Sequence, residues 1–213
     1  MLRVLALPLA LLALLPYGSS IQPLPAPVKA NLGARYYAQL DCPVPLSGLR
    51  LLTVSHWGFD GRAHEGQLVV NQDVAAPLAK VFRRLYELRF PIRHMRLDDA
   101  YGPKRARPPD GDVSGSFDCR QSVPSPCTGG TASGRWSNHA YGHAVDLNPV
   151  ENPYIGCGRV HDPRSRPYVD RSRLRKGMVT PAVVRAFRSI GWGWGGEWTG
   201  QTKDYMHFST TGH

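Results

Sequence analysis

Ser137-Asn138-His139-Ala140-Tyr141-Gly142-His143-Ala144-Val145-Asp146 gathers two imidazoles and a carboxylate in one short stretch. A loop that opens at His139 and turns at Gly142 runs into a strand in which Ala144, Asp146 and Asn148 share one face, while Val145 and Leu147 point into a core. On that path His139 and Asp146 converge on one ion. His143 competes with His139 for the role. If residues 143 to 146 form one strand, however, His143 and Asp146 point to opposite faces, which favours His139. The third ligand has to come from elsewhere, and Asp204-Tyr205-Met206-His207-Phe208 offers His207.

His139, Asp146 and His207 would give Zn²⁺ two nitrogens and an oxygen and leave a fourth position open, the pattern of a catalytic site. Water acidified there becomes a nucleophile and needs a base that is not itself a ligand. Asp204, three residues before His207, is the nearest carboxylate. In a straight strand the two would face opposite ways, so Asp204 must sit on a turn or at a bulge. Glu197 is the substitute base.

The 213 residues, 42% hydrophobic and 20% charged, fit one globular domain rather than a disordered or fibrous chain. Met1-Leu2-Arg3, a Leu/Ala-rich run to Leu15 and then Pro16 have the charge, apolar run and polar exit of a secretory signal, too short to span a bilayer comfortably. Cleavage is expected near Ser20 or after Ala30. Residues 1–30 are thus read as signal peptide and proline-rich spacer, the latter without assigned fold, and 31–213 as a single domain. In an exported protein Cys42, Cys119, Cys127 and Cys157 are expected to form two disulfides, with three pairings open. The net charge of +10 suits an anionic polymer such as cell wall or an acidic glycan; nucleic acid has the right sign but the wrong compartment.

Apolar and β-branched residues over 49–57 and 67–70 predict a hairpin with a long glycine-containing connection, leaving His56 and His64 exposed. Asp73 caps a helix to about Arg89, with Leu78, Val81, Phe82, Leu85 and Leu88 on its inner stripe. Pro91 opens a strand over 92–97 that points Arg96 toward a site or toward solvent. Residues 98–136, dense in Gly, Pro, Ser and Asp, read as a long surface excursion pinned by Cys119 and Cys127, with Arg120 inside it. Residues 158–177 carry seven Arg or Lys against two Asp, a solvated loop or a contact for an acidic polymer. Thr180-Pro181 starts a helix that stops at Gly191. The three tryptophans of 192–198 either floor a cleft or cap the core, and 205–209 is the final strand.

Ser-x-His-x-x-Gly-x-Ala-x-Asp at Ser137 to Asp146, with Asp-x-x-His-Phe at Asp204 to Phe208, resembles the VanY-like zinc D-alanyl-D-alanine carboxypeptidase and L,D-endopeptidase family. Phe59-Asp60-Gly61, Phe117-Asp118-Cys119-Arg120, Asn148-Pro149 and Trp192-Gly193-Trp194-Gly195-Gly196 are similar to its exported bacterial members, so the likeness spans roughly residues 42 to 210. The resemblance implies an α+β domain, a small antiparallel sheet carrying the metal and flanked by helices, as in Hedgehog and D,D-peptidase folds. It implies Zn²⁺ held by His139, Asp146 and His207, Asp204 as general base, and an arginine at the developing oxyanion: Arg120 by its motif, Arg96 in reserve. Peptidoglycan stem peptides are the implied substrate and an anionic wall polymer a partner, for a secreted monomer without stable membrane insertion. The alternative is a non-catalytic wall-binding or acidic-glycan-binding module.

Overall fold

Short apolar runs bury a strand on both faces, and Leu51-Leu52 in one strand and Leu68-Val69-Val70 in the next do so in the central sheet. The computed structural model describes residues 16–104, 107–128 and 134–213; the signal peptide expected up to Leu15 lies outside the described residues. Strands β1 (Ser19–Pro23), β2 (Leu49–Trp57) and β3 (Ala63–Asn71) form an antiparallel sheet in that order. Leu52, Val54, Leu68 and Val70 face a larger core, whereas Leu49, Leu51 and Val69 face a second, smaller one. β3 starts at Ala63, so the hairpin connection is shorter than expected. His64 then pairs with His56, which is buried rather than solvated, its ring stacked on His64 with centroids 5.8 Å apart.

The proline-rich stretch carries structure where the sequence suggested a spacer. β1 pairs residue by residue with β2, and helix α1 (Ala26–Leu32) runs on into a π-turn over Gly33–Tyr37. Pro23 ends an edge strand and Pro27 sits in the first helical turn, both places that need no backbone N–H. Leu24, Leu32 and Tyr36 then fill the smaller core.

Helix α2 (Gln72–Glu87) is capped by Asn71, whose side chain accepts from the Asp73 N–H, two residues ahead of the expected cap. Its Leu78, Val81, Phe82 and Leu85 pack on the larger core face. The strand expected over 92–97 is absent: only isolated bridges join Pro91 to Trp57 and His94 to Val113, and helix α3 (Leu97–Tyr101) begins where the strand was to end. The Arg93 N–H donates to the Asn148 side chain and is thereby removed from any ladder.

The remaining elements are β4 (Ala144–Asp146), β5 (Tyr154–Ile155), α4 (Pro181–Arg188), β6 (Gly193–Trp194), β7 (Lys203–Asp204) and β8 (His207–Ser209). β4, β8 and β6 form a second antiparallel sheet, and β5 pairs with β7. Thr180 caps α4, which buries Val183, Val184 and Phe187; Phe187 stacks on Phe208 of β8. The architecture is α+β, with the small sheet bearing Asp146 and His207 packed against α4 and, through the larger core, α2.

Disulfides join Cys42 to Cys119 and Cys127 to Cys157. Neither pins the excursion to itself. Its residues 114–118 run through the interior: Gly115 and Asp146 exchange two backbone hydrogen bonds, and the Phe117 N–H donates to the Val69 carbonyl. Among the described residues, no helix is long and apolar enough to cross a membrane.

In the basic stretch Arg173, Arg175 and Lys176 are exposed, but Arg171 turns inward to the carbonyls of Glu151 and Val179 and lies over the Tyr205 ring, burial lowering its pKa to about 10. Nearby, Arg93 joins Asp112 at 2.7 Å and Glu151 at 2.5 Å, both carboxylates fully buried. Burial first, and then the hydrogen bond with Asp112, push Glu151 up to about 7. A carboxyl raised in the fold stabilises it at low pH and loses that contribution as pH rises through the folded value. Thermal denaturation at pH 5 and pH 8 therefore shows a smaller loss of stability for Glu151→Gln than for the wild type; an unchanged difference counts against this assignment.

Candidate metal centre

Each candidate ligand comes from a different element. Ser137 caps a 3₁₀ turn over Asn138–Tyr141, which carries His139 and ends at Gly142 with φ 68°. A side chain at Gly142 would be strained by that φ, and its Cβ would stand 2.6 Å from the Asn71 nitrogen. Glycine lets the turn dock on the β3–α2 junction, where the Asn71 N–H and side-chain amide donate to the carbonyls of Gly142 and Tyr141. The chain then enters β4, Val145 and Leu147 face the larger core, and Asp146 points the other way. Asp146 sits opposite His207 in the β4–β8 register.

His139 Nε2 lies 3.2 Å from His207 Nδ1 and 3.3 Å from Asp146 Oδ2, and His207 Nδ1 lies 3.2 Å from Asp146 Oδ1. Ligands held at about 2.0–2.1 Å in a tetrahedron stand roughly 3.3–3.4 Å apart, so these separations fit the edges around a zinc-sized ion. The donor set fits as well. His139 Nδ1 donates to the Ser116 carbonyl at 2.6 Å, which fixes the tautomer and turns the Nε2 lone pair inward. Both histidines are buried, and Asp146 is partly open to solvent. Burial works against ionisation of Asp146, but the two imidazoles outweigh it and hold its carboxyl far below the usual range. These three form the group suited to a metal among the described residues.

Asp204 lies on β7, paired with Tyr154, and the bend at Tyr205 and Met206 resets the chain before β8. The clash of faces foreseen for one straight strand is thus resolved by two short strands. Gly195 allows the approach: its Cβ would meet the Asp204 carbonyl at 2.5 Å. Asp204 Oδ1 is buried without a hydrogen-bond partner. Burial, and secondarily the charge of Asp146, raise its pKa to about 7.

A cleft of about 340 Å³ opens beside His139 and Asp146, lined further by Arg35, Tyr36, Arg107, Asp118 and Arg120. Arg120 is exposed, held by Asp118 at 3.0 Å, and its charge acts on both His139 and Asp204. Asp118 also accepts from Tyr36 Oη at 2.8 Å; burial, then the Asp118 charge, push that phenol up to about 12, so it stays a donor.

Other expected residues stand elsewhere. Arg96 caps α3, its side chain 68% exposed and 3.6 Å from Asp99, and it lines a separate cleft with His56 and His64. Glu197 is paired with Arg188 and lines a different cleft. His143 binds Asp73 at 2.9 Å and is not among the three converging donors. The tryptophans divide: Trp192 is core, Trp194 donates to the Tyr205 carbonyl, and Trp198 lies with its ring 6.0 Å from that of His207. Sequence reasoning missed Ser116, Arg35 and Tyr36. Only the position of Ser116 beside the Phe117 to Arg120 motif gave any signal.

Residues 131–210 match a family model described as D-alanyl-D-alanine carboxypeptidase, which covers both ligand motifs and Asp204 and supports the VanY-like likeness. Searches of curated proteins and of solved structures returned no match.

Proposed function

We propose that this protein is a zinc-dependent peptidase that hydrolyses a peptide bond in peptidoglycan stem peptides, with His139, Asp146 and His207 as ligands and Asp204 as general base. The observation that carries this reading is the convergence of three donors at zinc-like spacing beside a buried, unpartnered carboxylate oxygen. When bound, the metal supplies Lewis-acid polarisation of the scissile carbonyl and acidification of water.

The chain's own residues do the rest. Asp204, raised toward neutrality by burial, accepts the proton of the attacking water and passes it to the leaving amine. Arg120, oriented by Asp118, faces the carbonyl oxygen as negative charge develops there. Ser116 keeps His139 in register, and the buried imidazoles keep bulk water from the inner side. Of the two arginines named from sequence, the cleft lining supports Arg120.

Two disulfides, the apolar N-terminal run and a net charge of +10 support export to the wall with an anionic polymer as partner. Digestion of purified peptidoglycan, joined to metal analysis, tests the proposal. Stoichiometric zinc and chelator-sensitive release of D-alanine or of cut stem peptide are expected. Bound zinc with neither product from the wild type would sink the peptidase reading in favour of a binding module.

A further inference from the structure

The wall of the cleft is cationic in a way the reaction itself does not use. Of the groups that line it, Asp146 belongs to the ligand set, Asp118 is engaged by Tyr36 and Arg120, and Asp99 accepts from the Arg96 backbone and faces its guanidinium. The acids of the cleft are therefore occupied. Arg35 and Arg107 line the same cleft and form no ion pair with any described residue. Arg107 is steered by its Nε, which donates to the Gly102 carbonyl at 2.9 Å, and Arg35 lies over the Tyr36 ring at 5.3 Å.

The placement of Arg35 is built rather than incidental. It stands on the Gly33–Tyr37 turn, which the Cys42–Cys119 disulfide and the Tyr36–Asp118 hydrogen bond tie to the segment bearing Arg120. Tyr36 and Phe117 pack in a T-shaped pair, and the Tyr101 hydroxyl donates to the Phe117 carbonyl, closing the same corner. A stretch far from the ligand motifs in sequence is thus fastened beside them, its guanidinium hydrogen-bonded to Tyr36 but in no ion pair with a described residue. Guanidinium groups present planar forks of donors matched to carboxylates, and beside a peptidase centre the ligand of that chemistry is the substrate.

We infer that Arg35, assisted by Arg107, forms a substrate-binding subsite that recognises a free carboxylate on the peptide. This rests on the peptidase reading and deepens it: the enzyme selects anionic peptides, and the segment before Cys42 sets that selectivity. In a stem peptide the carboxylate comes either from the C-terminus or from the isoglutamate residue.

Calorimetric binding to the zinc-loaded full chain carrying Asp204→Asn, which slows turnover, distinguishes the sources. The probes are a stem pentapeptide with both carboxyls free, its C-terminal amide, and the form amidated at isoglutamate. One amidated form is expected to bind about tenfold or more weakly than the free acid, a loss in line with a charge-assisted hydrogen bond. Adding Arg35→Ala should abolish that difference, and Arg35→Lys should restore part of it, with zinc content unchanged as the sign of an intact centre. If Arg35→Ala loses zinc, Arg35→Gln and Arg107→Gln carry the comparison. Equal binding of all three peptides, or discrimination that survives removal of both arginines, overturns the subsite. Product release by the wild type without discrimination would overturn the subsite alone. Discrimination without product from any peptide would overturn the peptidase reading and leave the subsite standing.

Discussion

Asp204→Asn should lower kcat for stem-peptide hydrolysis by about 10²–10⁴-fold, the range typical of a lost general base, while zinc stays bound in full. The substitution keeps the shape of the side chain and removes its capacity to take a proton. Asp204 is not one of the three converging donors, so the metal has no reason to leave. Stability gives a second signature. The Asp204 carboxyl is raised by burial and by Asp146, so in metal-free protein it stabilises the fold below about pH 4 and loses that contribution as pH rises through about 7. Metal-free Asp204→Asn should therefore melt no lower than metal-free wild type at pH 8. Metal analysis, steady-state kinetics and thermal melts check this together. Full activity in the variant would remove Asp204 from the mechanism, and loss of zinc would move it among the ligands.

His207→Ala should eliminate stoichiometric zinc and, with it, measurable hydrolysis, whereas His143→Ala should leave zinc in place. The two histidines differ in what they face. His207 Nδ1 meets His139 and Asp146 in a buried cluster, so its loss takes away one of three donors and leaves the site with too few. His143 spends its Nε2 on Asp73 at the exposed start of α2, a contact worth at most about 1 kcal/mol. Metal analysis after dialysis, with circular dichroism to verify folding, decides the matter. Zinc lost from His143→Ala and kept by His207→Ala would reverse the ligand assignment.

What was legible in the sequence was local. The alternation around Val145 and Leu147 already said which way Asp146 faces, and Gly142 already marked the turn that separates His139 from His143. Thr180-Pro181 announced α4, and the stripe through Leu78, Val81, Phe82 and Leu85 announced α2. The strand expected over 92–97 failed because Asn148, a distant side chain, takes the Arg93 N–H. The proline-rich stretch was misread because prolines tolerated at a strand edge and in a helix's first turn leave the same composition as a spacer. The motif put Arg120 ahead of Arg96; in the structure Arg120 lines the cleft beside His139 and Asp146, while Arg96 turns to Asp99.

The sequence by itself determined the candidate donors and, through strand periodicity and one glycine, the face that Asp146 presents, because those depend on bonds between near neighbours. Only the tertiary structure decided which distant groups complete the site. The Ser116 carbonyl behind His139, the short strand that carries Asp204 past the face conflict, and Arg35 brought to the cleft by Cys42 and Cys119 are contacts across long stretches of chain. Such contacts are settled by which surfaces bury together, a property that no local pattern of residues encodes.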